Sequence, residues 1–458
     1  MLGVAIMLAV TGWGPSLLAA GGAVAGRTAP RANITILNPS AMKARGPISG
    51  VTLRKFPYPY QAMLAVSPDA DHMTLRKFNL IHEFLNTDSE TPWGRGLGLD
   101  IADSMFMYNG SNINVPIDWP DVPLSDELTW FHGVSSTPYG AAILNRYVHD
   151  GWIDTLHSYG DFSRVDHNQT EFTPDLAKQA VLALEADGDH IVVWTDHGNM
   201  SNVDNFGNYG NGSFFAYQQG ANPGSPYYHT DITIPYGIEF VWADVHSSRF
   251  GESNTLYPID LPDGRKVWGF QRYTNDGQSA TGSLNWVWTI NDLYLELSTA
   301  NLNSLVADHQ YSVITQHFYK DDNTKYPLPE SAVKAFRLLA GYYRDGKILV
   351  ARTSRLLIYN EAQDFVQYVV RKQGDETLIQ ITKIADPVLG VRTPTLDDVR
   401  GITFYVRNPS KARLYIGSTP VPADLVQRNP SDGIEPSIEI RWWPTDTTNY
   451  AISDPSIP

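Results

Sequence analysis

AMLAVSPDADH, residues 62–72, is the stretch from which the fold of this chain is inferred. Its apolar start, Ala62–Val66, predicts a buried strand. The apolar residues that follow are spaced as on one face of a helix and therefore predict one: Leu75, Phe78, Ile81 and Leu85. The polar motif Ser67–His72 therefore lies where a strand turns into a helix. In α/β folds this edge of the sheet binds ligands, because the loops at the carboxyl ends of the strands converge there.

Two carboxylates and an imidazole stand in this turn: Asp69, Asp71 and His72. The combination favours a metal-dependent hydrolase. The alternative is that the two aspartates only cap the following helix, as Asp often does. The motif taken alone leaves both interpretations open.

Composition restricts the partners and the chemistry. The chain has 458 residues, enough for two or three domains of about 150 residues each. With 34 basic and 49 acidic residues the net charge is −15, which argues against a nucleic-acid partner because phosphate backbones bind cationic surfaces. Cysteine is absent, so disulfides, thiolate zinc sites and a cysteine nucleophile are excluded, and any metal must be held by His, Asp or Glu.

The first 25 residues carry no charge, are rich in Ala, Leu, Val and Gly, and end in the small-x-small pattern Ala23-Val24-Ala25. They predict a signal peptide or an anchor, and hence a secreted or cell-envelope protein. The usual positive n-region is missing, so cleavage and retention both stay open. Residues 26–57, rich in Pro, Gly and Ala, are expected to form an extended lead-in.

Between residues 58 and 360 strand-like apolar runs alternate with helical patterns. The predicted strands are Ala62–Val66, Leu97–Ile101, Trp152–Leu156, Ile191–Trp194, Ile238–Trp242, Val267–Arg272, Tyr311–Thr315 and Ile348–Ala351. Two intervening helices have clear boundaries: one begins at Thr173-Pro174-Asp175 and stops at Gly188, and one runs from Pro329 to Arg344. Seven or eight β/α units in series predict an α/β fold, a distorted (β/α) barrel of parallel strands.

Residues 361–458 show period-two alternation interrupted by Gly, Pro, Asn and Asp, which predicts a small all-β, sandwich-like domain. Trp442 and Trp443 in this tail either bind a glycan or pack on the barrel. The segments Ser104–Ser135 and Asn199–Thr230 are expected to be large loops on the catalytic face.

Three further polar motifs follow predicted strands. His157 and Asp161 in HSYGDF are four residues apart and can hold one divalent ion if the chain turns helically there. Asp196 and His197 in WTDHGN are adjacent and so point differently, which favours one ligand and one orienting partner. His317 follows the strand Tyr311–Thr315.

Each of these motifs alone is also compatible with a structural role. Together, four motifs with His or Asp follow four predicted parallel strands at the same end, which favours a shared site. Tyr159 and Trp194, within two of the motifs, are the candidate substrate-binding aromatics, because Tyr and Trp at a cleft suit the apolar faces of sugar rings.

The order of these motifs resembles that of the polysaccharide deacetylase family with the NodB-homology fold, over roughly Pro57 to Asn360. The resemblance implies that Asp69 is the catalytic base and His317 the general acid. It also implies that Asp71 and His157 are metal ligands.

The chain departs from the family pattern in two places. Ala70 splits the family's adjacent Asp pair, so the roles of Asp69 and Asp71 can be exchanged, and His72 is a further candidate. Asp161 stands where a second His ligand is expected, so either Asp161 or His197 completes the metal site. The family's Arg-bearing motif is not identified.

The resulting prediction is a metal-dependent deacetylase that removes N-acetyl groups from a hexosamine-containing polysaccharide. The ion activates water and polarises the carbonyl, one Asp takes a proton and one His gives one. Zinc is the first expectation, and cobalt, nickel and manganese also suit such ligands. The alternatives are a metal-independent glycoside hydrolase, which needs two carboxylates flanking the bond, and a non-catalytic surface glycan-binding protein.

Overall fold

The computed structural model describes residues 50–109, 126–162, 170–197, 202–207, 218–274, 290–318 and 325–457. These residues belong to one compact unit. The expected signal segment, residues 1–25, and most of the expected lead-in lie outside the described residues. Within the described ranges, no helix has the length and apolar character needed to cross a membrane.

Helices are interspersed among the strands up to residue 365. The helices are α1 Leu75–Asn86, α2 Ala141–Asp150, α3 Pro174–Asp187, α4 Thr230–Tyr236, α5 Leu293–Glu296, α6 Thr299–Ala307, α7 Glu330–Arg344 and α8 Thr353–Phe365. The strands up to α8 are β1 Thr52–Arg54, β2 Ala62–Asp69, β3 Glu90–Thr91, β4 Gly94–Arg95, β5 Asp103–Tyr108, β6 Thr129–Phe131, β7 Ile153–His157, β8 Val193–Thr195, β9 Phe240–Trp242, β10 His246–Ser247, β11 Leu256–Asp260, β12 Lys266–Phe270, β13 Arg272–Tyr273, β14 Tyr311–His317 and β15 Ile348–Val350. The strands after α8 are β16 Val366–Gln373, β17 Glu376–Asp386, β18 Gly390–Arg392, β19 Thr403–Tyr405, β20 Ala412–Ile416, β21 Thr419–Pro420, β22 Val426–Asn429 and β23 Ser437–Ile440.

Two mostly parallel sheets form the centre of the molecule. One has seven strands in the order β11-β12-β9-β8-β7-β5-β6, and only its β11–β12 ladder is antiparallel. The other has five parallel strands in the order β10-β13-β14-β2-β15. The predicted mixed α/β class with a parallel sheet is confirmed.

Five strands of the larger sheet, β5, β7, β8, β9 and β12, follow one another in chain order, as in a barrel. β5 lies beside β2, and the single residue Gln271 separates β12 in one sheet from β13 in the other. Among the described strands, however, no ladder of hydrogen bonds joins the two sheets into a closed ring. A distorted barrel therefore stays a prediction.

The predicted strand Leu97–Ile101 is wrong, and the second long strand is β5, six residues later. The amides of Leu97 and Leu99 donate to the carbonyls of Phe84 and Leu85, in the last turn of α1, at 2.8 Å each. The last carbonyls of a helix have no partner inside the helix. The apolar run therefore provides hydrogen-bond donors for the last carbonyls of α1, and its leucines are buried although it does not enter a sheet.

The strand β2 is buried along its whole length and continues to Asp69, beyond the predicted end at Val66. Its ladder with β14 brings Asp69 opposite His317. The ladder of β7 with β8 brings His157 opposite Thr195. Because these ladders are parallel, the carboxyl ends of the strands lie at one edge, as the sequence predicts.

The helix after β2 is capped by Thr74, whose side chain accepts the Lys77 amide at 3.3 Å. The alternative in which Asp69 and Asp71 serve only as caps is therefore wrong. The predicted helix boundaries at Pro174 and Gly188 are confirmed, and Gly188 adopts the left-handed φ of 77° typical of a helix end. The helix predicted to begin at Pro329 begins at Glu330.

The part of the chain after α8 is β-rich, as predicted. One sheet, in the order β1-β19-β23-β22, is antiparallel and recruits β1 from the start of the described chain. The other, β16-β17-β20-β21, contains one parallel ladder, β17 with β20. Residues of both sheets share one apolar cluster with strands of the α/β part, among them Met63, Phe240, Ile381 and Phe404.

The predicted boundary at residue 360 falls inside α8, and the two tryptophans of the tail pack against this helix. The ring of Trp442 meets that of Tyr359 edge-on at 5.7 Å. The guanidinium carbons of Arg355 and Arg400 lie 4.5 and 4.7 Å from the centre of the Trp443 ring. These contacts agree with the packing interpretation of the tryptophans.

Candidate metal centre and its surroundings

Three buried side chains at the carboxyl edge of the sheets converge on one point. One ligand atom each from Asp71, His157 and His197 lies within 4.8 Å of the others. The two oxygens of Asp71 divide between the imidazoles, with Oδ2 at 3.1 Å from Nε2 of His157 and Oδ1 at 2.5 Å from Nε2 of His197. Two nitrogens and one oxygen are a donor set that Zn²⁺ and similar ions accept.

Each of the two imidazoles also has a carboxylate near its Nδ1 atom. Nδ1 of His157 lies 3.7 Å from Oδ1 of Asp69, and Nδ1 of His197 lies 3.5 Å from Oδ1 of Asp161. Both distances are longer than a hydrogen bond, so these two carboxylates act on the rings through their charge. The hydrogen bonds to Asp71 direct both Nε2 atoms at the same point.

Asp161 therefore has a different place from the one predicted. A metal site shared by His157 and Asp161 requires a helical turn after β7, but Ser158 has a left-handed φ of 50° and residues 158–162 form no helix. The chain instead places Asp161 on the Nδ1 side of His197. His197, the alternative left open by the sequence, is the residue that joins Asp71 and His157.

Asp69 is held by an arginine that the motifs did not identify. Nη1 and Nη2 of Arg272 donate to its two oxygens at 2.6 and 2.9 Å. Arg272 is fully buried, and its guanidinium carbon lies 3.7 Å from the centre of the Trp242 ring. Such a two-point contact fixes the plane of the carboxylate as well as its charge.

His317 lies next to both aspartates. Its Nε2 is 3.6 Å from Oδ2 of Asp69 and 3.4 Å from Oδ2 of Asp71. The side chains of His317 and Asp71 are 13 % and 12 % exposed, whereas that of His157 is completely buried. The centre therefore opens to solvent on the side of His317 and Asp71.

The charges in this cluster decide the protonation of its members. Burial alone would raise the pKa of Asp69, but the charges of Arg272, His157 and His317 outweigh it and lower that pKa. Burial would likewise lower the pKa of His197, but Asp71 and then Asp161 raise it to about 10. A proton on His197 thus compensates the buried carboxylate charge, and a divalent cation can take over that role.

His72 is paired with Glu127 and is not one of the three converging side chains. It has a left-handed φ of 54°, and its amide donates to Oε1 of Glu127 at 2.7 Å. Its Nδ1 lies 3.3 Å from the same oxygen. Burial, reinforced by the charge of Asp161, raises the pKa of Glu127 well above its ordinary value. His72 thus helps to hold the turn that carries Asp71.

The remaining candidates of WTDHGN and HSYGDF are structural. Asp196 accepts hydrogen bonds from the Trp194 indole at 2.8 Å and from the amides of Phe206 and Gly207 at 2.9 and 3.2 Å. Tyr159 and Trp194 are fully buried, and their rings meet edge-on at 5.0 Å. Their prediction as substrate-binding aromatics is corrected, because neither ring has a face exposed to a sugar.

Two residues of the site were missed for different reasons. Arg272 ends the predicted strand Val267–Arg272, so its position at the carboxyl edge was visible, but only the fold shows that it reaches Asp69. Glu127 lies inside the segment expected to be a loop, and no periodic pattern marks it.

Comparison of the chain with protein-family models, with curated proteins and with solved structures gave no match. Function is therefore inferred from the geometry of these residues.

Proposed function

We propose that the protein is a metal-dependent deacetylase that hydrolyses N-acetyl groups of a hexosamine-containing polysaccharide. The proposal rests on the group Asp71, His157 and His197. Beside this group, Asp69 accepts two hydrogen bonds from the guanidinium of Arg272. The order of the motifs along the chain, which resembles that of polysaccharide deacetylases, agrees with the proposal. The two sheets are then the two parts of one distorted barrel.

In this proposal the metal ligands are Asp71 and the Nε2 atoms of His157 and His197. Zinc is the first candidate ion, and cobalt, nickel and manganese suit the same donors. Such an ion lowers the pKa of water and polarises the acetamide carbonyl. Three protein ligands leave room for water and substrate, as in catalytic zinc sites.

The neighbouring side chains supply the proton transfers. Asp69 lies beside the proposed metal ligands, and the charges of Arg272 and His317 keep its carboxylate ionised. It is therefore the residue that accepts a proton from the attacking water. His317 lies 3.4 Å from Asp71 on the more exposed side of the cluster. It is therefore placed to donate a proton to the leaving amine. This assignment makes Asp69 the base and Asp71 the ligand.

The proposal extends to the location and the partner. The apolar first 25 residues are expected to direct the protein to the cell envelope or outside the cell, where an acetylated polysaccharide is accessible.

The test combines metal content with acetate release. Full-length protein is purified without added chelator, its Zn, Co, Ni and Mn content is measured by mass spectrometry, and it is incubated with partly acetylated glucosamine and galactosamine oligomers. We expect close to one ion per chain and release of acetate. Dialysis against a chelator should abolish acetate release, and added Zn²⁺ should restore it.

Matched variants locate the ion. His157→Ala and Asp71→Ala should lose the bound metal and the activity. His82→Ala is the control, because His82 is also completely buried and also lies beside a carboxylate, Asp103 at 3.6 Å, but outside the cluster. It should lose stability and keep its metal.

The rival functions give different results. Reducing ends instead of acetate, with no effect of chelator, would establish a glycoside hydrolase. Glycan binding with neither bound metal nor product would establish a binding protein. Metal that is unchanged in Asp71→Ala and His157→Ala would place the ion elsewhere.

A further inference from the structure

A single buried asparagine connects the two chain segments that carry the imidazoles. Oδ1 of Asn205 accepts hydrogen bonds from the Ser158 hydroxyl at 2.8 Å and from the His197 amide at 3.0 Å. Its Nδ2 donates to the His197 carbonyl at 2.6 Å. Asn205 is completely buried, so these bonds are made without competition from water.

The His197 backbone has little support from the sheet. β8 ends at Thr195, two residues earlier. The His197 amide donates to Oγ of Ser158 and to Asn205, and its carbonyl accepts from Asn205. Side chains thus take the place of a strand ladder at this residue.

The His157 side needs the same support. Ser158, directly after His157, has a left-handed φ of 50°, which costs a non-glycine residue free energy and persists only when the surroundings hold it. Its hydroxyl donates to Asn205 and accepts the His197 amide. One carboxamide therefore ties the residue after the first histidine to the backbone of the second.

Asn205 is itself anchored on both sides. The next residue back, Asp204, accepts the Tyr159 amide at 2.9 Å, and Asn202 accepts the Phe162 amide at 2.7 Å. The Asn205 carbonyl accepts the Gly220 amide at 2.9 Å. Residues 202–207 are thus hydrogen-bonded to both turns.

We propose that Asn205 is a positioning residue that sets the distance between the His157 and His197 imidazoles, and thereby the metal affinity. This rests on the metal centre proposed above. Ligand atoms must stand within about 0.2 Å of ideal distances from an ion, whereas His157 ends β7 and His197 lies in the loop after β8. Loss of partners that orient ligands typically lowers metal affinity about 10- to 100-fold.

The test measures metal affinity and stability side by side. Asn205→Ala, Ser158→Ala and wild type are stripped of metal, and their affinity for Zn²⁺ is measured by competition with a chromophoric chelator. The visible spectrum of the Co²⁺ form reports ligand geometry. We expect Asn205→Ala to bind Zn²⁺ about 10- to 100-fold more weakly, with an altered Co²⁺ spectrum.

Asn360→Ala is the matched control. Asn360 is also completely buried, and its Oδ1 accepts the amide and the hydroxyl of Thr255 at 3.0 Å each, far from the cluster in the chain. It should lose stability but bind Zn²⁺ as wild type does. A purely structural role for Asn205 would give the same pattern in both variants and would overturn the inference.

The outcomes separate the two proposals. If wild type binds none of Zn²⁺, Co²⁺, Ni²⁺ and Mn²⁺, the metal centre itself is refuted. If wild type binds Zn²⁺ and Asn205→Ala binds it equally well, only the role of Asn205 is refuted. If Asn205→Ala does not fold, Ser158→Ala decides, because it keeps the bonds between Asn205 and His197 and removes the link to the other turn; unchanged affinity there would refute the inference.

Discussion

The ion pair between Arg272 and Asp69 offers a test of the site that does not depend on its function. Replacing Arg272 by Met removes the guanidinium and keeps an unbranched apolar side chain in the same space. Asp69 then keeps its charge without the partner that contacts both of its oxygens at 2.6 and 2.9 Å. Both residues are almost completely buried, so solvent cannot replace the lost contact.

The expected cost follows from this burial. Removing one partner of a buried ion pair typically costs about 3–5 kcal/mol, because a charge is left without compensation. The lost contact between Arg272 and the Trp242 ring is part of the same change and is not added to it. A folded domain is usually stable by about 5–15 kcal/mol, so Arg272→Met should fold with its stability reduced by about 3–5 kcal/mol.

The assay is urea denaturation at pH 7 in the presence of a chelator, so that bound metal does not contribute. Asp69→Asn and the double variant complete a thermodynamic cycle, and the double variant should be more stable than the sum of the single changes predicts, because neither position then holds a charge that has lost its partner. Arg265→Met is the control. Its pair with Asp263 has a similar distance of 2.8 Å but an Arg side chain that is 34 % exposed, so its loss should cost about 1 kcal/mol or less.

The result that would refute the reasoning is a coupling energy below about 0.5 kcal/mol between Arg272 and Asp69, in the range of independent sites. A loss in Arg272→Met no larger than that in Arg265→Met would have the same meaning. Either outcome would show that the pair is solvated or formed differently in solution.

Three further predictions concern single residues. His317→Gln should reduce kcat for acetate release about 10²- to 10⁴-fold and leave the metal content unchanged; loss of the metal instead would make His317 a ligand. Asp161→Asn should weaken Zn²⁺ binding about 10- to 100-fold in chelator competition, and unchanged affinity would contradict its effect on His197. Arg352 and Arg355 outweigh the effect of burial and lower the pKa of Asp100, so this carboxylate stabilises the fold above its unfolded pKa of about 3.9 and loses that contribution as the pH falls through its folded pKa. Asp100→Asn should therefore destabilise the protein at pH 7 by urea denaturation, and its difference from wild type should shrink as the pH is lowered; a difference that stays constant with pH would contradict this.

The sequence located the chemistry because strand ends are a local property. The apolar run Ala62–Val66 and the helical spacing after it identify the turn that carries Asp69 and Asp71, and similar patterns place His157 and His317 at strand ends. Parallel strands then bring these residues to one edge of the sheets. Periodicity failed at Leu97–Ile101, where a tertiary contact with the end of α1 satisfies the backbone instead of a sheet.

The composition of the cluster required the tertiary structure. Whether Asp161 or His197 joins the centre depends on the left-handed turn at Ser158, which the apolar pattern does not encode. Arg272 and Asn205 reach the site from parts of the chain 203 residues from Asp69 and 47 residues from Ser158.

The sequence therefore established the α/β class, the β-rich tail and the edge of the sheet at which AMLAVSPDADH places its aspartates. The fold established which oxygen faces which nitrogen, the arginine that grips Asp69, and the asparagine that ties the two histidine turns together. The physical reason is that hydrophobic periodicity reports burial along one segment. Contacts between side chains depend on strand order and on single backbone angles, which arise only when distant segments pack.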